Sequence, residues 1–175
     1  VSPEPIQLQE WLPGVITPFV SRAQSRQQYL HVELPDHTPE IASDRKSLER
    51  ILAELLNNAC KYTSPNGSIR LKVEHTEVGN PRYFKLNLAN KSKQTVAVTT
   101  FVISNEADIP ATEIPRMFEK FYRIPKSDPW QQGGTGLGLA LIKKLVETLQ
   151  GSIEADSHNG WTILTVHLPM LEIED

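Results

Sequence analysis

Apolar residues recur along this chain with two periods, and each change of period marks a new element. From Trp11 to Ser25 the apolar positions Leu12, Val15, Ile16, Phe19, Val20 and Ala23 are spaced by threes and fours, which places them on one helical face. Pro13 fits that helix only in its first turn, because proline has no amide to donate. Tyr29 to Leu34 alternates, with Leu30, Val32 and Leu34 pointing inward, and reads as a strand. Pro35 to Pro39 is a turn. Asp44 stands where a helix N-cap belongs, and Leu48, Ile51, Leu52, Leu55, Leu56 and Ala59 form the stripe of a long helix to about Tyr62. Ser64-Pro65-Asn66-Gly67 stops that helix. Strands are expected over Ile69–Glu74, Arg82–Ala89 and Thr95–Ser104. Pro110–Tyr122 mixes a short helix with loop, and Arg123–Thr135 is a polar loop. Leu137–Leu149 is helical, with Gly151 as its C-terminal glycine. Ile153–Ala155 and Thr162–Leu168 form a hairpin turned by His158-Asn159-Gly160. Helices and antiparallel hairpins in blocks predict an α+β two-layer sandwich.

A chain of 175 residues has material for one core. Hydrophobic content of 39% and charged content of 22% are those of a soluble globular domain. A formal net charge of -3 argues against nucleic-acid and anionic-membrane partners, although a local basic pocket for phosphate is compatible with it. Cys60 is the only cysteine, so cysteine-based metal sites are excluded and a reducing, cytoplasmic compartment is expected. No apolar run approaches the roughly 18 residues that span a bilayer. Residues 1–5, with two prolines and no basic or apolar leader pattern, are expected to be a linker or a cut end before a domain at 6–175.

Three places carry chemistry. On the helix at Glu54-Leu-Leu-Asn57-Asn58-Ala-Cys-Lys61-Tyr62, a turn of about 100° per residue puts Glu54, Asn58 and Lys61 on one polar flank. A carboxylate and an amide oxygen suit hydrated Mg²⁺, and a cation suits phosphate. Gly133-Gly134-Thr135-Gly136-Leu137-Gly138-Leu139 runs into a helix, where free amides and the helix dipole favour anions. Its spacing is neither that of a Walker loop nor that of a dinucleotide fingerprint. The third place is Ile114-Pro-Arg-Met-Phe118-Glu-Lys-Phe121-Tyr122-Arg123. Phe118 and Phe121, three apart, can anchor one end of a loop in the core, while Lys120, Arg123 and Lys126 bring cations near the glycines. Each place alone is also what a solvated helix face, a hinge or an amphipathic turn would show.

Taken in order, the three resemble histidine-kinase motifs. Glu54–Tyr62 looks like the N box, Pro115–Arg123 like the F box, and Gly134–Leu139 with the following Ala140-Leu-Ile-Lys-Lys-Leu-Val-Glu like the G2 box and its helix. The end Val166-His-Leu-Pro169 is similar to the family terminus, and the likeness covers roughly Ile41–Pro169. The resemblance implies a Bergerat ATP-binding fold, a mixed sheet packed on three main helices with a mobile ATP lid at Arg123–Thr135. It implies catalytic roles for Glu54 and Asn58, with Asn58 coordinating Mg²⁺ and Glu54 reaching the metal through water. It implies that Lys61 and Arg123 approach the phosphates and that Tyr62 lines the nucleotide pocket. Gly134, Thr135, Gly136, Leu137 and Gly138 would shape the phosphate end, and Thr162 would sit near adenine.

The chain departs from the pattern in three places. Many of these kinases have asparagine where this chain has Glu54. Glutamate there is typical of gyrase and mismatch-repair ATPases, in which it activates water. The G1 box, Asp-x-Gly-x-Gly-Ile-Pro, is replaced by Ser104-Asn105-Glu106-Ala107-Asp108-Ile109-Pro110. Either Asn105 or Asp108 then reads the adenine amino group. Arg70–Phe101 is longer than the family hairpin. Three antiparallel strands in series would reverse the last one, so one segment is expected to be an extended loop or an added edge strand.

The resemblance implies transfer of the γ-phosphoryl from Mg-ATP to a histidine on a dimerisation domain outside this chain, in a homodimer, and relay to a response-regulator aspartate. His31, His37, His75, His158 and His167 all lack the phosphoacceptor context and are expected to be structural or solvated. The alternatives are a gyrase-type ATPase and a degenerate nucleotide-sensing interaction domain.

Overall fold

The structure is a computed structural model, and it describes residues 1–79, 95–124 and 138–171. Three helices form one layer: α1 (Leu8–Ser25), α2 (Arg45–Tyr62) and α3 (Gly138–Thr148). A five-stranded sheet forms the other, in the order β2 (Tyr29–Glu33), β4 (Ser68–Gly79), β5 (Thr95–Glu106), β7 (Trp161–Pro169), β6 (Ser152–His158). β2 runs parallel to β4 and the remaining pairs are antiparallel, so the sheet is mixed. A separate antiparallel pair joins β1 (Glu4–Gln7) to β3 (Glu40–Ser43). Among the described residues no helix is long and apolar enough to cross a membrane.

α2 forms where the sequence predicts. The Asp44 carboxylate accepts the Ser47 amide at 2.9 Å, which supplies a partner for one of the first-turn donors that a helix leaves open. Its stripe, Leu48, Ile51, Leu52, Leu55, Leu56 and Ala59, is buried together with Cys60. Against that stripe lie Ile69, Leu71 and Val73 of β4, Phe101 and Ile103 of β5, and Leu164 and Val166 of β7. These strand residues alternate with outward ones, the period-two pattern of a sheet with one covered face.

Four expectations are corrected. α1 starts at Leu8, so both Pro13 and Pro18 lie inside it. The carbonyls they leave without a helical amide, those of Gln9 and Gly14, lie on the exposed side, where water can serve them. β2 is an edge strand that ends at Glu33: Leu30 and Leu34 are half-buried against the core, but Val32 between them is 38% exposed, so the three do not form an inward row. The expected linker, residues 1–5, overlaps β1, because fully buried Ile6 pairs with Ile41 and draws Glu4 and Pro5 into register with Ser43 and Ala42. Gly151 is not the left-handed residue after α3; Gln150 is, with φ 61. Glycine is needed at 151 for space, since a Cβ there would lie 2.4 Å from the His167 carbonyl oxygen and 2.6 Å from Leu168 Cδ2.

β4 and β5 are each twelve residues long and pair from Ile69 with Asn105 to Gly79 with Thr95. The strand expected over Arg82–Ala89 lies outside the described residues.

Candidate functional site

At one end of the sheet, Asn105, Thr162 and Ser157 stand side by side on β5, β7 and β6. All three have the strand parity of the helix-facing core residues, so their side chains meet the helical layer rather than solvent. Asn105 is 6% exposed, and its Nδ2 has no hydrogen-bond partner among the described residues. A buried amide donor with no partner is costly. The chain leaving β5 folds back over this row. Thr162 Oγ1 donates to the Ala107 carbonyl at 2.7 Å, and Ser157 Oγ accepts the Ile109 amide at 3.0 Å. Asp108, the other candidate reader, is exposed on that loop. The structure therefore puts Asn105, not Asp108, in a buried and partly unsatisfied position.

The α2 flank is half-buried at Glu54, Asn58, Lys61 and Tyr62. Glu54 Oε1 pairs with Arg50 Nη2 at 2.8 Å. A Cβ at Gly138 would lie 3.6 Å from Glu54 Oε2, so the N-terminus of α3 meets the carboxylate side of α2. Asn57 is used differently: it accepts a hydrogen bond from Arg22 and ties α2 to α1. About 100° of helical rotation separates the neighbouring Asn58 from that contact. Lys61 Nζ lies 5.2 Å from the centroid of the Tyr62 ring, a cation–π distance. Behind this end of α2, buried Gln28 donates to the Cys60 carbonyl at 2.8 Å and to that of Thr63, so it serves two carbonyls at the helix end.

The expected anchoring of one loop end by Phe118 and Phe121 is corrected. Phe118 packs against the core beside buried Met117, but Phe121 is 73% exposed, with φ 64. The three-residue spacing aligns side chains only in a helix, and the chain here is helical, as a 3₁₀ turn, only over Ile114–Arg116. Arg116 stacks on Tyr122 at 4.2 Å. Arg123 is exposed. Gly134, Thr135, Gly136 and Leu137, and the expected lid from residue 125 onward, lie outside the described residues.

Sequence reasoning missed Gln28 and Ser157. Ser157 could have been found. The two-residue Asn159-Gly160 turn has φ 52 and 79 and fixes the register that sets Ser157 opposite Thr162. Gln28 carries no local signal. Three of the five histidines have side-chain partners: His75 with Thr99 at 3.2 Å, His167 with Thr100 at 2.9 Å and His158 with Asp156 at 2.9 Å.

Comparison with known proteins agrees with this geometry. Residues 43–172 match the family described as histidine kinase-, DNA gyrase B-, and HSP90-like ATPase. Sensor histidine kinase WalK of Bacillus subtilis (strain 168) is 26% identical over 171 residues, which is 97% of this chain and 25% of WalK. The chain thus spans about a quarter of that relative's length. Among solved structures, full-length ShkA in complex with AMPPNP aligns with a TM-score of 0.75 at 18% identity, covering 99% of this chain and 32% of that one. Histidine kinase ThkA in complex with the response regulator protein TrrA aligns with a TM-score of 0.70 at 18% identity, covering 97% and 42%. At such identities the likeness establishes the fold, a mixed sheet under three helices of the kind found in histidine kinase catalytic domains. The family match covers most of the chain, and this protein belongs to the histidine kinase-, DNA gyrase B- and HSP90-like ATPases.

Proposed function

We propose that this chain is the ATP-binding catalytic domain of a sensor histidine kinase. ATP lies with its base toward Asn105 and Thr162 and its phosphates between the α2 flank and the start of α3. The observation that carries this reading is the approach of Gly138 to Glu54. It brings a helix N-terminus, which favours anions, against a row of carboxylate, amide and ammonium groups. Phosphoryl transfer needs positioning and charge neutralisation more than covalent chemistry, and such a row offers both.

The residues present fit Mg²⁺. The Asn58 amide oxygen and the Glu54 carboxylate are hard oxygen donors, and a site of one or two such groups plus phosphates is how this ion is usually held. Bound Mg²⁺ would neutralise charge on the phosphate oxygens. Lys61 lies one helical turn beyond Asn58 and adds a cation toward the same tail. Asn105 supplies the base-reading hydrogen bonds through its unpartnered amide. Ser157 and Thr162 keep the 107–109 backbone in place beside it.

The acceptor in this reading is a histidine on a dimerisation domain outside this chain, in a cytoplasmic homodimer. The relay continues to a response-regulator aspartate. WalK is named as a sensor histidine kinase, and ThkA was crystallised with a response regulator. The test is incubation with labelled ATP, alone and with a separately made dimerisation domain. The reading expects acid-labile, base-stable label on the added domain and none on this chain. Glu54 is the one feature that favours a gyrase-type ATPase instead. ATP hydrolysis by the chain alone that is abolished in Glu54→Gln, with no transfer to any histidine, would establish that second reading.

A further inference from the structure

The base-reading residue here is an amide, and an amide recognises more than adenine. Adenine presents an amino donor at C6 beside an acceptor at N1. A 6-oxopurine presents the reverse, an acceptor at O6 beside an N1–H donor. An aspartate only accepts, so it pairs with the amino group and sets its lone pairs against those of O6. An asparagine both donates and accepts, and a half-turn of the carboxamide exchanges the two.

Asn105 has the surroundings to use that freedom. It is 6% exposed, so a base edge meeting it is read without competition from bulk water. Its Nδ2 has no partner among the described residues, so none of these holds the amide nitrogen in one orientation. The frame around it is fixed. Thr162 and Ser157 tie down the backbone at Ala107 and Ile109, so the loop is held while the amide turns. With adenine, Oδ1 accepts from the amino group and Nδ2 donates to N1. With a 6-oxopurine, Nδ2 donates to O6 and Oδ1 accepts from N1–H. Two hydrogen bonds form in each case.

We infer that this site binds 6-oxopurine nucleoside triphosphates as well as ATP, and that Asn105 is the residue that sets this breadth. The inference rests on the nucleotide-site reading above. Inosine triphosphate is the probe, because it differs from ATP only at the 6-position and the N1 proton. Its dissociation constant and that of ATP are measured by calorimetric titration of the chain in magnesium buffer, for wild type and for Asn105→Asp. Wild type is expected to favour ATP by about tenfold or less, since the hydrogen-bond count is equal. Asn105→Asp is expected to widen that preference by about tenfold or more, which is the discrimination a single mispaired base edge carries. A wild-type preference above tenfold, or an unchanged preference in a folded Asn105→Asp that still binds ATP, overturns the inference. If Asn105→Asp does not fold, the wild-type ratio decides. ATP binding without inosine triphosphate binding sinks this inference alone, whereas binding of neither sinks the nucleotide site itself.

Discussion

Replacing Asp44 with alanine removes two backbone hydrogen bonds at once. The carboxylate accepts the Ser47 amide at 2.9 Å in the first turn of α2 and the Ser2 amide at 2.7 Å ahead of β1. Loss of an N-cap side chain costs about 1 kcal/mol. The more exposed bond to Ser2 adds about 0.5–1 kcal/mol. A total of about 1.5–2 kcal/mol corresponds to a melting-point drop of about 3–8 °C for a domain of this length. Asp44→Asn keeps one capping oxygen for Ser47 but loses the acceptor for Ser2, so it should lose only about 0.5–1 kcal/mol. The pH dependence separates the two effects. The amides of Ser2 and then Ser47 hold the Asp44 carboxyl below its usual 3.8. A depressed folded-state pKa means stability that is present above the unfolded value and lost as pH falls through the folded one. Wild type should therefore lose this contribution only below about pH 4, and Asp44→Asn should lack that segment of the curve. Asp44 and Asn58 lie about 21 Å apart along the helix axis, so ATP affinity should not change. Melting of Asp44→Ala and Asp44→Asn by circular dichroism between pH 3 and 7 is the assay. Equal melting points for wild type and Asp44→Ala at pH 7, or an equal drop in both variants, would refute the capping argument.

Gly151→Ala should destabilise by about 1–3 kcal/mol, as overpacking does, because its Cβ would press on the His167 carbonyl oxygen at 2.4 Å. Denaturant unfolding measures this, and a change within error would show that α3 can shift away from β7. Gln28→Leu removes the donor that serves the carbonyls of Cys60 and Thr63, and should cost about 1–3 kcal/mol as buried acceptors lose their partner. It should also weaken ATP binding, because the same turn of α2 carries Lys61 and Tyr62. Full stability in the variant would show that Gln28 is only a filler there.

The parts of the fold that the sequence made legible are those in which local and tertiary preferences agree. α2 has a capping aspartate, an unbroken apolar stripe and a Pro-Asn-Gly stop, so its ends and its buried face were both readable. The start of α1 is not legible from the chain alone because Pro13 and Pro18 are helix breakers in most settings, whereas on an exposed helix side they are tolerated. β1 and β3 are four residues each, too short for a period to register, and what creates them is a long-range pairing, Ile6 with Ile41. Motif alignment alone leaves Asn105 and Asp108 as equal candidates. Strand parity separates their settings: Asn105 follows Phe101 and Ile103 at intervals of two and turns inward with them, while Asp108 lies exposed beyond the strand end at Glu106. The spacing of Phe118 and Phe121 does not make them neighbours, because the chain turns after Arg116 instead of continuing as a helix.

The claim that Asn58 joins ATP to this helix through magnesium can be tested by one set of titrations. ATP is titrated into wild type and Asn58→Ala, each with and without Mg²⁺. The account predicts tight binding only for wild type with Mg²⁺, and a loss of about ten- to a hundredfold in Asn58→Ala with the metal present. That is the fold-change expected when about 1.5–3 kcal/mol of charged-group interaction is removed. Without Mg²⁺ the two proteins should bind ATP alike. Equal affinity in all four conditions would contradict the account.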